Sequence, residues 1–317
     1  MRYAGETACA TTGKSFACIG GACFSLPTPA CGRIFSHLLR ERLPLPLVDA
    51  WAAAEAAAAL ALEAARMSDR LPAEAAVTGA AALAAPAGLP AEAAITGAAA
   101  RLFATAHAAQ HMAQYAGLPG VLQHLMDAQV EAVYLGAESV QRRQLATAMA
   151  APAFPSRLAA WAAEAAESGS LRAGLALLGW TLEFLRRARL LTDARQGTGF
   201  ALADALCRLL AARALAAGVR TLHAHASPRE AFFTDLSVVE SAAAASAAAR
   251  VSTSLVFGYT GPAQEDRRGF SRLRASVDAS LAGVHAARIR AAAFLLASGI
   301  RLRLVHPGAA RTSAPSD

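Results

Sequence analysis

Histidine and cysteine side chains can bind metal ions, so we first consider whether their spacing in this chain suggests a metal site. His107 and His111 lie four residues apart, which would place both imidazoles on one face of a helix. The pair lacks the intervening glutamate of the His-Glu-x-x-His motif and an evident third ligand, so we interpret both as hydrated surface histidines. The N-terminal segment holds four of the five cysteines, at Cys9, Cys18, Cys23 and Cys31. These contain no Cys-x-x-Cys pair, and the sequence predicts neither a metal site nor a disulfide framework.

The most informative stretch is 126–142, which reads Met-Asp-Ala-Gln-Val-Glu-Ala-Val-Tyr-Leu-Gly-Ala-Glu-Ser-Val-Gln-Arg. It resembles the C-terminal signature of the acyl-CoA dehydrogenases, in which Arg-Asp-Ala leads into Ile-Tyr-Glu-Gly-Thr-x-Glu-Ile-Gln-Arg. The matching positions are Asp127, Ala128, Tyr134, Gly136, Val140, Gln141 and Arg142. Upstream, Arg33 begins a shortened form of the family's Arg-x-x-Phe-Gly-x-x-Leu, and residues 100–105 resemble its Ala-Lys-Leu-Phe-Ala-Ser. The resemblance covers about residues 31–150.

This resemblance implies a helical bundle like the family's C-terminal four-helix domain. It also implies FAD as cofactor, with contacts from the corresponding positions Arg33, Gly136, Ala137 and Arg142, although Ala137 stands where the family has a threonine. The inherited activity would be oxidation of an acyl-CoA thioester, with the flavin accepting a hydride. Because the family's C-terminal bundles pack against one another in dimers and tetramers, the implied assembly is a homo-oligomer.

One departure from the family concerns the catalytic base. Leu135 occupies the position of the glutamate that removes the α-proton in most of the family, and a hydrocarbon side chain cannot accept a proton. Some members carry the base on the helix before the Arg-x-x-Phe-Gly motif, which makes Glu6, the only acid before Glu41, an alternative base. The catalytic residue therefore stays unknown at this stage.

A second departure concerns the domains that cover the flavin. The family's N-terminal helical domain and central β-domain have no counterpart before residue 31. We therefore expect the chain to be inactive alone, or to need a related flavoprotein subunit. The alternative is a non-catalytic helical module for oligomerisation or partner binding, because association depends on apolar helix faces rather than on Leu135.

Positive charge is concentrated near the C-terminus. Residues 267–303 contain eight arginines and one acid, Asp278. The formal net charge of this strip is therefore +7, which equals that of the entire protein. The arginines are not interleaved with aromatic residues and match no nucleic-acid-binding motif. We interpret the strip as a hydrated helix face, with an anionic ligand as the alternative ahead of nucleic acid.

The composition indicates which elements must position these residues. Alanine supplies 87 of the 317 residues, and β-branched residues are scarce, so the sequence favours helix. No stretch alternates with period two for long enough to make a sheet, and the predicted class is all-α. Prolines, glycines and apolar spacing predict helices over 47–69, 91–115, 121–150 with a pause at Gly136, 156–168, 171–193, 200–217, 229–257 and 271–298.

The predicted organisation has four parts. Residues 1–30 form an irregular segment, and residues 31–150 form an antiparallel four-helix-bundle-like domain. Pro152 and Pro155 mark the clearest boundary, with Ser156 as a plausible N-cap of the next helix. Residues 156–300 form a second helical unit that matches nothing we could name, and 307–317 form a flexible tail.

Apolar stretches in the chain are interrupted by glutamates and prolines, so no membrane span is predicted. The first residues do not combine a charged region with a leucine-rich one, so no secretory signal is predicted. The expected location is the cytoplasm.

Overall fold

The computed structural model describes residues 16–19, 22–25, 45–70, 89–108, 138–191, 196–225, 229–258 and 261–297, together with positions 110, 113, 126, 130 and 227. Two strands open this part of the chain, β1 (Phe16–Ile19) and β2 (Ala22–Ser25). The helices are α1 (Leu45–Asp69), α2 (Leu89–Leu102), a π-helical turn (Phe103–Ala108), α3 (Glu138–Ala150), α4 (Phe154–Glu164), α5 (Gly169–Arg187), α6 (Gln196–Ala224), α7 (Glu230–Gly258), α8 (Gln264–Ser280) and α9 (Val284–Ala297). The predicted all-α class is confirmed.

The hairpin of β1 and β2 is a correction to the sequence analysis, which predicted residues 1–30 to be irregular. The strands are antiparallel, with Phe16 opposite Ser25 and Ile19 opposite Ala22. The sequence signal for it is the pair Gly20-Gly21 between the strands, since glycine pairs favour two-residue hairpin loops. The hairpin adds two short strands to an otherwise helical structure, and β1 lies against α1.

Several helix boundaries also differ from the prediction, and two of the differences have a clear local cause. Helix α4 begins at Phe154 with Ala153 as its N-cap, not at Ser156, because Pro155 fits the first turn, where its missing N–H costs no hydrogen bond. The single helix predicted over 271–298 is wrong, since α8 ends at Ser280 and α9 begins at Val284. Between them Gly283 has a φ of 84°, a backbone conformation that glycine adopts without a steric penalty.

Helices α6 and α7 form the centre of the structure. They pack against each other, α6 also contacts α1, α2, α3 and α5, and α7 also contacts α1, α5, α8 and α9. One hydrophobic cluster contains side chains from Val48 of α1 to Leu295 of α9. The hydrophobic core therefore continues across residues 151–155, where the sequence predicts a boundary between two domains. Among the described helices, none combines the length and apolarity that crossing a membrane would require.

Small residues set the distance between the central helices. A Cβ placed on Gly174 of α5 would lie 2.9 Å from Leu209 Cδ2 and 3.0 Å from the Ala245 Cα. The second of these neighbours is backbone, which cannot move aside as a flexible side chain can. The alanine-rich face of α7 therefore meets α5 at a separation that only glycine allows at position 174, and Leu209 of α6 contacts the same point.

The centre of the structure also holds a carboxyl group. Glu240 of α7 is only 5% exposed. The pKa of Glu240 is raised to about 7, mainly by burial; the positive charge of Arg208 opposes the shift and the negative charge of Asp49 adds to it. Near neutral pH this side chain is therefore partly protonated inside the protein.

We expect Gly174→Ala to lower the free energy of unfolding by about 1–3 kcal/mol, because the added methyl group overpacks the contact with Ala245. Gly218→Ala is the matched control, since a Cβ at Gly218 of α6 would meet no atom within 4 Å. The control should gain roughly 0.4–1 kcal/mol from the lower entropy of the unfolded chain. Urea unfolding measures both, and equal effects at the two positions would contradict the packing argument.

Replacing Glu240 with Gln should change how stability depends on pH. The pKa of Glu240 is raised on folding, from 4.5 to about 7, so the native state binds more protons than the unfolded state between these values. Wild-type stability therefore falls as pH rises through this window, by at most about 3 kcal/mol. Glu240→Gln lacks this loss, and its stability relative to the wild type should be higher at pH 8 than at pH 5.

Urea unfolding at both pH values checks this expectation. Glu183→Gln is the control, because Glu183 is an exposed partner of Arg186 and such surface pairs contribute about 0–1 kcal/mol. If Glu240→Gln changes the free energy of unfolding by the same amount at pH 5 and pH 8, the carboxyl group of Glu240 does not titrate near neutrality.

Candidate functional site

A cleft of about 560 Å³ opens where α3, α6 and α7 approach the π-helical turn. Its volume lies within the range of about 300–1,000 Å³ that is usual for small-molecule sites. The lining residues are Ala106, Gln110, Glu138, Arg142, Asp204, Ala205, Arg208, Ala247, Arg250 and Val251. Half of them are charged, which makes this cleft the candidate functional site.

Arg142 is the central cation of the cleft. Glu138 and Arg142 are four residues apart on α3, so their side chains share one face of the helix. The Arg142 Nη1 donates a hydrogen bond of 2.8 Å to Glu138 Oε2, and its Nε donates one of 2.9 Å to Asp204 Oδ1 on α6. These two ion pairs hold the Arg142 guanidinium in place and connect α3 with α6.

Asp204 and Arg208 are spaced four residues apart on α6, so one helix face presents a carboxylate and a guanidinium to the cleft. Burial raises the pKa of Asp204, although its hydrogen bond with Arg142 and the charges of Arg142 and Arg208 oppose the rise. The charge of Arg208 also acts on the buried Glu240. Arg208 thus influences both the surface and the interior of this site.

The neighbouring thiol takes no part in the cleft. Cys207 is fully buried and its Sγ lies 3.1 Å from the Ala99 carbonyl oxygen, to which it donates. Burial raises the pKa of Cys207 well above its ordinary value, so the thiolate that would act as a nucleophile is not formed at neutral pH.

The lining residues define what the cleft can do chemically. Three guanidinium groups face two carboxylates, which leaves a net positive charge suited to an anionic ligand. Among the described residues of the lining there is no histidine, cysteine or serine, so these residues offer no nucleophile paired with a base. Within the described ranges, no group of three or more His, Cys, Asp or Glu side chains is placed to hold a metal ion.

Of the site residues predicted from the sequence, Arg142 is brought to this cleft. The other five predicted positions, Glu6, Arg33, Leu135, Gly136 and Ala137, lie outside the described residues. Sequence reasoning missed Asp204, Arg208 and Arg250. The available signal was the i, i+4 charge pair of Asp204 and Arg208 on a predicted helix, but such pairs are common on hydrated helix faces.

The C-terminal arginine strip is partly neutralised in the fold. Arg274 pairs with Asp278 on α8, whereas Arg288 and Arg290 of α9 pair with acids of other helices, Asp49 and Asp235. Arg274, Arg288 and Arg290 of this strip therefore form ion pairs, two of which join α9 to α1 and α7.

The fold is similar to that of an acyl-CoA dehydrogenase from Bacillus anthracis, whose crystal structure was solved in complex with FAD. The TM-score is 0.61 with 13% sequence identity, and the match covers 86% of this chain and 53% of that chain. This chain thus spans about half the length of that enzyme. No protein-family model and no curated protein matches the sequence.

The comparison confirms the predicted resemblance at the level of the fold. It also extends the likeness to more of the chain than the motifs covered. The sequence motifs placed the likeness at about residues 31–150, which is much less than 86% of the chain. The helices after residue 150, which sequence reasoning could not place, therefore share in the structural similarity.

Proposed function

We propose that this chain is a divergent acyl-CoA dehydrogenase homologue whose inherited role is the flavin-dependent oxidation of an acyl thioester, and that it is inactive alone. The observation that carries the proposal is the fold similarity to an acyl-CoA dehydrogenase complexed with FAD over 86% of the chain. The signature-like stretch 126–142 supports it, since its last residue, Arg142, lines the cleft.

Inactivity of the isolated chain is supported by the residue at the base position. Leu135 replaces the glutamate of the family signature and cannot take a proton from an acyl thioester. The carboxylates of the described cleft, Glu138 and Asp204, both form ion pairs with Arg142. A related flavoprotein subunit that contributes the base and the remaining flavin contacts would restore a complete site.

The described cleft residues fit one part of FAD and not the other. Guanidinium groups of Arg142, Arg208 and Arg250 suit the diphosphate. The isoalloxazine ring system is a large aromatic surface, and no aromatic side chain lines the cleft. The cleft as described therefore does not form a flavin ring site, and we derive no redox step from it.

The visible spectrum of the purified full chain tests the proposal. Without a partner we expect no stoichiometric flavin absorbance, and after addition of FAD we expect no bleaching by acyl-CoA substrates of different chain lengths. An active acyl-CoA dehydrogenase measured in parallel shows that the substrates and assay work. Bound flavin that bleaches with acyl-CoA would overturn the view that the chain is inactive alone.

A second candidate function, homo-oligomerisation without catalysis, is favoured by exposed apolar side chains within the signature-like stretch 126–142. Met126 is 53% exposed, Val130 is 56% exposed and Val140 is 48% exposed. Met126 and Val130 are one helical turn apart, so they share a face. Burying such a face against a second copy of the chain would remove its apolar surface from water.

Light scattering of the full chain at roughly tens of micromolar tests this second candidate. We expect a dimer or larger species, and we expect Val130→Asp to shift it to the monomer because a carboxylate would be buried without a partner. Ile289→Asp is the control, since Ile289 of α9 is 43% exposed and lies far from the signature in the sequence. A strict monomer of the wild-type protein would contradict this role.

A further inference from the structure

We infer that the cleft between α3, α6 and α7 binds a phosphate ester of a sugar, with arginines holding the phosphate and carboxylates accepting from the sugar hydroxyls. This inference goes beyond the proposed function, because it requires neither a flavin nor an acyl thioester. It follows from the mixture of charges in the cleft and from its small apolar residues.

Arg208 and Arg250 are the groups placed to hold the phosphate. They project from α6 and α7, the two helices that pack together along the centre of the fold, and both line the cleft. Arg250 is exposed, so its guanidinium can reach a ligand without moving packed residues. A guanidinium presents several N–H donors in a planar fork that matches the oxygens of a phosphate.

Arg142 has a different role, which is to position two carboxylates of the cleft. Its Nε and Nη1 are engaged by Asp204 and Glu138, so it orients these two carboxylates toward the cleft. Through Asp204 this ion-pair network also reaches α6, the helix that carries Arg208. A network fixed in this way is preorganised, which reduces the ordering cost of binding.

The two carboxylates decide which phosphate compound fits. A bare phosphate ion would be repelled by Glu138 and Asp204, whose side chains are 37% and 32% exposed. A ligand that also carries hydroxyl groups turns these carboxylates into hydrogen-bond acceptors, because ionised carboxylates accept and never donate. The amide of Gln110 is a further polar group in the lining.

Small residues leave the space that a sugar ring needs. Ala106, Ala205 and Ala247 come from three separate elements and line the same cleft. Each presents a single methyl group, so the charged side chains around them are separated by open volume. This arrangement suits a compact polar molecule with one apolar ring face.

Isothermal titration calorimetry of the full chain at low ionic strength tests the inference with three probes: ribose 5-phosphate, ADP and inorganic phosphate. Ribose 5-phosphate should bind more tightly than inorganic phosphate, because only the ester carries hydroxyl donors. Binding of ADP then shows whether the natural ligand is a nucleotide or a simple sugar phosphate. Tighter binding of ADP identifies a nucleotide site, and equal binding identifies a sugar phosphate site. Absence of binding by all three probes overturns the inference.

Two variants and one control assign the binding to the cleft. Arg250→Ala should weaken ribose 5-phosphate binding by about tenfold, the usual effect of losing a hydrogen bond to a charged group. Arg272→Ala should leave it unchanged, since Arg272 is an exposed arginine of α8 that does not line the cleft. An Arg250→Ala protein that binds like the wild type overturns the inference.

Glu138→Gln separates hydroxyl recognition from simple charge attraction. Loss of one negative charge should strengthen the binding of inorganic phosphate, whereas the preference for ribose 5-phosphate over inorganic phosphate should fall. Thermal melting without ligand shows that the variant is folded. An unchanged preference would contradict the role given to the carboxylates.

Discussion

The close approach of α5, α6 and α7 is the constraint on which the rest of the structure depends. Gly174 and Ala245 leave no room for a larger side chain at this crossing, and Leu209 fills the remaining space. Because the helices meet at backbone distance, the side chains further along α6 and α7 are also brought together. Asp204, Arg208 and Arg250 line a common cleft as a consequence of apolar packing elsewhere on the same helices.

Charged groups inside this alanine-rich packing are paired across helices. Arg213 of α6 bonds Glu63 of α1 at 3.1 Å and Glu164 of α4 at 2.9 Å, and its guanidinium lies 5.3 Å from the centre of the Trp161 ring. The Trp161 indole in turn donates to Glu92 of α2 at 3.2 Å. Alanine methyl groups offer little geometric specificity, so polar contacts of this kind favour one arrangement of the helices over shifted ones.

The helices could be predicted from the sequence because alanine and leucine favour helix locally, and prolines and glycines mark most of the ends. The hairpin was missed because Gly20-Gly21 is a weak signal in a glycine-rich segment. The break at Gly283 was missed because a positive φ leaves no trace in apolar spacing. The cleft could not be predicted, since Arg142 and Asp204 are 62 residues apart and only tertiary packing brings them together.

Arg288 of α9 and Asp49 of α1, which form an ion pair, are separated by 239 residues. During synthesis, α1 leaves the ribosome shortly before α2, which packs against it, but long before its other partners α6, α7 and α9. Part of its apolar face therefore stays exposed until these later helices have been made. Helical proteins usually fold fast because their contacts are local, whereas these contacts join distant parts of the chain, and this core is complete only after α9 has been made.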